Sequence, residues 1–275
     1  MSAEWRFIEH PAFRVFDATV RERLVALGHF PQPSEFAGLA RGIPQSTVPW
    51  FDFAPQTQPS LQELGGFDRV IAQTGCIPTR SGSWHDLLGA LIWLHFPALK
   101  TAIHRAQLAG NPRNRQPSEN AATHFDESGV LVLSHEPTVF ERLANLKWRE
   151  MFWEGRVELA RTTRFLAFGH GLLDSMRGAH PRLMGKALFV RVAPACLELG
   201  APELRLFLDR ALAPRLSTFL REPARLQPLP VLGIPGWAPQ QGHGFYDDAA
   251  YFRDARKRAR PPLETAWLEL EAPRS

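Results

Sequence analysis

Apolar residues recur at helical spacing in several parts of the chain. Residues 12–27 carry five apolar positions three or four residues apart, with charged residues between them, and Gly28 follows as a helix-ending glycine. Residues 60–73 predict a second helix, in which Ser60 is the N-cap and Glu63 follows three positions later. The first quarter of the chain is therefore expected to contain two helices.

The most apolar run covers residues 87–99, and it predicts a strongly apolar helix over residues 87 to about 96. Ser83 is a suitable N-cap, and Asp86 falls in the first turn, where a carboxylate complements the helix dipole. Pro97 breaks or kinks this helix because it lacks the backbone N–H, and helical spacing resumes over residues 98–108. Further helices are predicted over residues 137–178 and 202–220.

Alternating and β-branched apolar residues predict a small sheet. Residues 123–125 and 130–133 flank the acidic segment Asp126-Glu127-Ser128-Gly129, which has the composition of a tight turn, so a β-hairpin is expected there. Residues 186–192 predict a third strand. The predicted sheet is antiparallel and draws on residues 123–133 and 186–192.

Prolines concentrate near the two ends of the chain. Of 24 prolines, seven fall within residues 11–59 and five within residues 223–239, where they exclude long helices and central strands. These segments predict extended coil that wraps a helical body. We therefore expect a single α+β domain over residues 1–275 that is mainly helical. Its proline-rich N-terminal part covers residues 1–60, and its coil-like C-terminal part, residues 223–275, ends in a basic helix.

Composition narrows the class of protein without naming a function. The 275 residues are 44% hydrophobic and 22% charged, which is typical of a globular protein and excludes disordered, collagen-like and coiled-coil chains. The net charge is +4 and the pI about 9.5, an excess too small to imply nucleic-acid binding. Cys76 and Cys196 lie far apart and match no zinc spacing, and no leader or membrane span is evident. A cytoplasmic protein is expected.

Several motifs follow one another along the chain. They begin with Trp84-His85-Asp86, Phe125-Asp126-Glu127-Ser128-Gly129 and Phe168-Gly169-His170-Gly171, and continue with Gly185-Lys186-Ala187-Leu188, Gly233-Ile234-Pro235-Gly236-Trp237 and Phe245-Tyr246-Asp247-Asp248. In this order, over about residues 50 to 255, they resemble a bacterial family known as domain of unknown function 3025. The chain departs from the family pattern at Gly89 and Asp174, where the family more often has Asn and Glu. The resemblance implies an intracellular bacterial protein but carries over no catalytic residue.

The strongest candidate site combines His85 and Asp86 with His170 and the pair Asp247-Asp248. Two imidazoles with carboxylates are suited to hold a divalent metal or to divide general acid and base roles. Each residue also has a structural explanation: Asp86 suits a first helical turn, and Asp247 and Asp248 suit the cap of a terminal helix. If His85 and His170 lay more than about 10 Å apart, they would not share one site.

Other residues are candidates for binding. Arg113 lies in a polar loop, and residues 253–260 contain five basic side chains, both suited to phosphate contacts or to a solvated surface. Asp126 and Glu127 are interpreted as turn residues rather than as an acid pair. The remaining candidates for ligand contact are aromatic or basic: Trp84, Lys186, Trp237 and Tyr246.

Two functional hypotheses follow, and the sequence leaves both open. In the first, the protein is a hydrolase for a small phosphorylated or nucleotide-like substrate, with His85 or His170 as base, Asp86 orienting it, and a divalent metal as a candidate cofactor. In the second, the protein is a non-catalytic module that binds nucleic acid or a protein through its Arg-rich tail. The chain contains no Walker loop, GxGxxG, GxSxG or HExxH motif.

Overall fold

The computed structural model describes residues 3–45, 51–108, 116–178, 180–221, 223–253 and 267–271. Helices dominate this part of the chain, and most begin where the sequence offers a proline or a capping residue at the first turn. They are α1 (Ala18–Ala26), α2 (Phe36–Leu39), α3 (Gln58–Leu64), α4 (Phe67–Thr74), α5 (Trp84–His95), α6 (Pro97–Leu108), α7 (Pro117–Ser128), α8 (Pro137–Ala144), α9 (Arg156–Thr162), α10 (His170–Ser175), α11 (Pro194–Leu197) and α12 (Ala201–Phe219).

Seven described strands form two sheets: β1 (Asp52–Pro55), β2 (Cys76–Thr79), β3 (Gly129–Ser134), β4 (Thr163–Ala167), β5 (Met184–Val192), β6 (Gln227–Pro230) and β7 (Trp267–Leu270). Strands β1 and β2 pair in parallel. The larger sheet has the order β4-β3-β5-β6. Strand β7 also pairs with β5, at residues 189–192, after the part of β5 that pairs with β6. Strand β3 is buried along its whole length, as expected of an apolar strand covered on both faces.

The α+β class and the helical majority agree with the sequence prediction, and the sheet agrees in part, since residues 130–133 and 186–192 lie in strands β3 and β5. The larger sheet is mixed, since β3 is parallel to β5 and antiparallel to β4. The predicted hairpin over residues 123–133 is wrong: residues 117–128 form α7, which runs directly into β3 at Gly129. Gln116 and Glu119 form a capping box at the start of α7, and this local signal for a helix outweighs the turn-like composition at its end.

The central helices follow the predicted boundaries. Ser83 Oγ accepts a hydrogen bond from the backbone N–H of Asp86 at the start of α5, and Pro97 begins α6 after a bend of 116°. The predicted helix over residues 60–73 is divided into α3 and α4 by Gly65 and Gly66, which both have positive φ. Among the described residues, no single helix has the length and apolar character to cross a membrane, and α5 and α6 reach that length only as a bent pair.

The proline-rich N-terminal segment contributes to the core. Short 3-10 helices over Ala3–Glu9 and Pro11–Val15 bury Trp5, Phe13 and Phe16 among the central helices. The buried apolar side chains form one contiguous cluster from Trp5 to Leu270. In the C-terminal part, residues 227–230 form a strand, while most of the predicted basic helix lies outside the described residues.

Candidate functional site

A cavity of about 310 Å³ lies among α4, α5, α6, α7, α10 and β2. Its volume is at the lower end of the range for small-molecule sites, about 300–1,000 Å³. The apolar lining residues include Phe67 and Ile71 of α4 and Ile77 and Pro78 of β2. The polar lining consists of Gln56, Asp68, Thr79, Arg80, His85, Asp86, Lys100, His104, Gln107, Thr123, Asp126, Glu127 and His170.

Three helix ends bring His85, Glu127 and His170 together in the lining of this cavity. His85 is the second residue of α5, Glu127 lies in the last turn of α7, and His170 is the first residue of α10. The two imidazole centroids are 4.4 Å apart, and Glu127 Oε1 lies 3.6 Å from His170 Nε2 and 4.0 Å from His85 Nε2. One ligand atom from each of the three side chains lies within 4.8 Å of the others, which is a spacing that one metal ion can bridge.

The orientation of His170 is fixed by α7. Its Nδ1 donates a hydrogen bond of 2.8 Å to the backbone carbonyl of Asp126, so the proton is on Nδ1 and the lone pair on Nε2. Burial lowers the pKa of His170, while the neighbouring Asp126 carboxylate partly opposes this effect. The neutral imidazole therefore presents Nε2 as an acceptor, as a metal ligand or a general base requires.

A buried ion pair lies beside His170. Lys100 Nζ of α6 is 2.5 Å from Asp126 Oδ1, and the same oxygen is 3.9 Å from His170 Nδ1. Burial by itself would raise the pKa of Asp126, but the neighbouring Lys100 ammonium opposes that effect and the pKa is lowered overall. Asp126 is thus ionised at neutral pH and compensates the charge of Lys100.

Asp86 lines the cavity but is not a member of the His85–Glu127–His170 group. Arg80 contacts both of its carboxylate oxygens, at 2.6 and 3.0 Å, and the Arg80 backbone N–H donates a further bond of 2.7 Å. Burial would raise the pKa of Asp86, and the hydrogen bonds from Arg80 lower it overall. The structural explanation for Asp86, a first-turn carboxylate, therefore describes its contacts better than the proposed role of orienting a histidine.

Glycines allow α10 to approach the end of α7. A Cβ at Gly169 would lie 2.4–2.6 Å from backbone atoms of residues 127–129, and a Cβ at Gly171 would lie 2.4 Å from Glu127 Oε2. Real Cβ atoms do not come this close, so both positions require glycine for the observed packing. The sequence Phe168-Gly169-His170-Gly171 is therefore a packing motif that carries a site residue.

The aromatic binding candidates pack away from this group. Trp84 contacts Trp5, Phe7 and Phe30 edge-on, and Arg177 stacks over its ring at 4.0 Å. Trp237 is buried at a second cavity, and its carbonyl accepts a hydrogen bond from His10. Tyr246 donates to the Gly233 carbonyl, and burial raises its pKa to about 12. These contacts are structural, and none of the three side chains lines the cavity.

The structure does not bring Asp247 and Asp248 into one site with His85 and His170, as the sequence had predicted. Asp247 pairs with Arg149 at 2.8 Å and Asp248 with Arg182 at 3.1 Å, both at the surface. Lys186 lies in β5 opposite Pro228, and it does not line the cavity. Arg113 and residues 254–266, which include most of the basic tail, lie outside the described residues.

Sequence reasoning placed Asp126 and Glu127 in a turn and did not select Lys100. The capping box at Gln116 and Glu119 was a usable signal, because it predicts a helix in which Asp126 and Glu127 occupy the last turn. Carboxylates at that end oppose the helix dipole, which is unusual for purely structural residues and favours a bound cation.

The fold and the cavity define a mainly helical α+β protein with a histidine–carboxylate site at the meeting point of three helix ends. Residues 51–256, more than half of the chain, match the family described as "Protein of unknown function (DUF3025)". The chain belongs to this family. No curated protein and no solved structure matched the chain.

Proposed function

We propose that the cavity is a metal-dependent hydrolytic site in which His85, Glu127 and His170 hold one divalent cation. The observation that carries this proposal is the approach of three ligand atoms to within 4.8 Å of one another at the wall of a cavity. Two neutral imidazoles and one carboxylate form the ligand set of many catalytic zinc and iron sites, and they leave coordination positions open for water and substrate.

The charge of the cavity supports a cation. Its described lining contains the carboxylates Asp68, Asp86, Asp126 and Glu127 against the two cations Arg80 and Lys100, which leaves two negative charges. Burial lowers the pKa of His104 and of His170, so these side chains add no positive charge at neutral pH. A divalent ion would balance the cavity, and the dipole of α7 acts in the same direction.

A divalent ion at this position would supply hydrolytic chemistry by acidifying a bound water. Residues of this chain would position the ligands. The backbone carbonyl of Asp126 holds the His170 ring, and the Glu127 carboxylate supplies the anionic ligand. Hydrolysis then adds the water oxygen to the electrophilic centre, breaks the bond to the leaving group and delivers a proton to that group. No redox partner is needed.

Metal binding is the direct test. We expect the purified full chain, stripped with chelator, to bind Zn²⁺, Mn²⁺ or Co²⁺ with one-to-one stoichiometry by calorimetry. The His170→Ala and Glu127→Gln variants should bind at least about 100-fold more weakly, because removal of a ligand exceeds the 10–100-fold effect of outer-shell changes. The Co²⁺ absorption spectrum should change in parallel.

The matched control is His124→Ala, because His124 lies on α7 one turn before the site and is exposed. This variant should bind the metal as tightly as the wild type. Equal affinity in the wild type, His170→Ala and Glu127→Gln would contradict the proposal, provided that circular dichroism shows all three folded.

Three narrower predictions from the sequence remain hypotheses. A phosphorylated or nucleotide-like substrate, the alternative module that binds nucleic acid or protein through the basic tail, and a cytoplasmic location each need a separate measurement. For the alternative module, binding to RNA should weaken as salt rises and disappear when residues 253–260 are deleted. Salt-independent binding, or none, would count against it.

A further inference from the structure

We infer that the substrate of this cavity is an uncharged carboxylic ester or amide with an apolar portion, and not a phosphorylated compound. The inference rests on the proposed hydrolytic site and names the substrate class for it. Three features carry it: the partners of the two lining cations, the summed charge of the described lining, and the apolar lining residues of α4 and β2.

Both lining cations are already engaged with carboxylates. Arg80 uses Nε and one terminal nitrogen on Asp86, in the two-point geometry with which arginine otherwise binds phosphate. Lys100 is buried against Asp126, and its ammonium also lies over the Trp93 ring at 5.2 Å. An incoming phosphate would have to share these cations with Asp86 and Asp126, whose negative charges already offset the two positive ones.

The summed charge of the cavity lining also favours an uncharged substrate. With a divalent ion in place, the described lining is formally neutral, because two cations and the ion oppose four carboxylates. A phosphate monoester would add about two negative charges, as phosphate does near neutral pH. A neutral carbonyl compound adds none. Burial of the two additional charges costs free energy, so the difference favours the uncharged ligand.

The apolar wall indicates where the rest of the substrate would bind. Phe67, Ile71, Ile77 and Pro78 line the cavity on the side of α4 and β2, and Phe67 remains 43% exposed. An exposed phenyl ring at a cavity is available to pack on an acyl chain or a planar group. His85, Glu127 and His170 line the same cavity from α5, α7 and α10, so we place the carbonyl at the metal and the apolar portion against Phe67.

The reaction implied is a simple hydrolysis. The oxygen of an activated water forms a bond to the carbonyl carbon, and the bond from that carbon to the alcohol oxygen or amine nitrogen breaks. The proton from water is delivered to the departing alcohol or amine. The products are a carboxylic acid and an alcohol or amine, and no oxidant or reductant takes part.

The test compares two chromogenic substrates on the metal-loaded full chain, p-nitrophenyl acetate and p-nitrophenyl phosphate. The signal is the difference between the hydrolysis rates of the wild type and of Glu127→Gln. This subtraction removes the hydrolysis that surface histidines contribute to both proteins. We expect kcat/KM for the acetate to exceed that for the phosphate by at least about tenfold, which corresponds to about 1.4 kcal/mol. An equal or higher value for the phosphate, or no Glu127-dependent hydrolysis of the acetate, would overturn the inference.

Binding of inorganic phosphate gives a second, independent measurement. Calorimetry should show no binding of phosphate to the metal-loaded wild type at millimolar concentration. In Asp86→Asn, Arg80 loses its anionic partner, and phosphate affinity should rise by about tenfold or more. The matched control is Asp174→Asn, since Asp174 forms a similar pair with Arg177 at 2.6 Å but does not line the cavity. Phosphate binding to the wild type that tightens on metal loading would overturn the inference.

Failure of the substrate class and failure of the site are distinguishable. Metal binding by the wild type that is lost in His170→Ala supports the hydrolytic site whatever the substrate assay shows. If the metal binds in this way and only the phosphate ester is hydrolysed, the site stands and the substrate class is wrong.

Discussion

Gly171 shows how strongly a single position controls the site. A Cβ there would lie 2.4 Å from Glu127 Oε2. The nearest backbone atom, the Glu127 carbonyl oxygen, would lie 3.1 Å from the same Cβ. At Gly169 the closest atoms are all backbone, at 2.4–2.6 Å. The end of a flexible carboxylate can move aside, whereas backbone cannot, so the two glycines are expected to respond differently to the same substitution.

We predict that Gly171→Ala displaces the Glu127 carboxylate and weakens metal binding by about tenfold or more, since ligand placement within about 0.5 Å decides affinity. Gly169→Ala should instead lower the free energy of unfolding by about 1–3 kcal/mol through overpacking. Calorimetric metal titration and urea unfolding of both variants measure the two effects.

Gly178→Ala is the control for both glycine variants, because a Cβ at Gly178 meets no atom within 4 Å. It should leave metal affinity and stability unchanged. Unaltered metal affinity in Gly171→Ala would show that Glu127 is not a ligand.

At the level of single residues, the sequence predicted the members of the site only in part. His85 and His170 were selected as residue types and lie together, yet their catalytic role stays a prediction. Glu127 and Lys100 were not selected, because their importance comes from the meeting of α6, α7 and α10 and not from local spacing. Asp247 and Asp248 were selected for chemistry that ordinary surface ion pairs can also explain.

Among the elements, the junction of α5 and α6 carries a second buried histidine. His95 accepts a hydrogen bond from the Asp17 backbone N–H and donates from Nδ1 to the Leu91 carbonyl. Burial, assisted by the nearby Arg205, lowers the pKa of His95 from 6.5 to about 3. The imidazole therefore stays neutral in the folded protein while the unfolded chain takes up a proton below about pH 6.5.

This difference predicts acid sensitivity. Since the unfolded state binds the extra proton, the free energy of unfolding should fall as the pH drops from about 6.5 toward about 3, by about 1.4 kcal/mol per pH unit well inside that window. His95→Gln should reduce this slope, because the titrating group is gone. Urea unfolding at several pH values measures the slope, and exposed His124→Gln should keep the wild-type value. An identical slope in His95→Gln would refute the assignment.

Elements with a strong local pattern were the predictable ones. Helices α5 and α12 and strand β5 follow the predicted ranges closely, because caps, prolines and apolar periodicity agree there. Strand β4 was missed within a predicted helical region, since its five residues are defined by pairing with β3 rather than by their own sequence. Parallel pairing of β3 with β5 was likewise beyond local signals, because it depends on a crossover of about fifty residues.

For the whole molecule, the segment before the family match is part of the same core. Trp5 and Phe30 each lie 4.9 Å from the Trp84 ring, and Gln45 donates a hydrogen bond to the Leu94 carbonyl in α5. The matched region begins at residue 51. The helix that carries His85 is therefore covered by residues outside the matched region.

We predict that a chain beginning at residue 51 does not fold cooperatively. It loses several buried aromatic and aliphatic side chains, each contributing about 1.5–3 kcal/mol, and their sum is comparable with a total stability of about 5–15 kcal/mol. Near-ultraviolet circular dichroism and thermal unfolding measure this. Co-expression of residues 1–50 as a separate polypeptide should restore some native signal. A sharp thermal transition in the truncated chain alone would contradict the prediction.

The direct passage from α7 into β3 at Gly129 has a consequence for how a ligand reaches the cavity. Glu127 stands two residues before a strand that lies between β4 and β5, and the Gly129 carbonyl accepts hydrogen bonds from the N–H groups of Phe168 and Gly169 at the start of α10. Interior strands are among the last segments to exchange their amide hydrogens, so local unfolding that separates Glu127 from His170 would require disruption of the sheet. A bound molecule must then enter and leave without separation of the metal-ligand group, whose geometry persists as long as the sheet does.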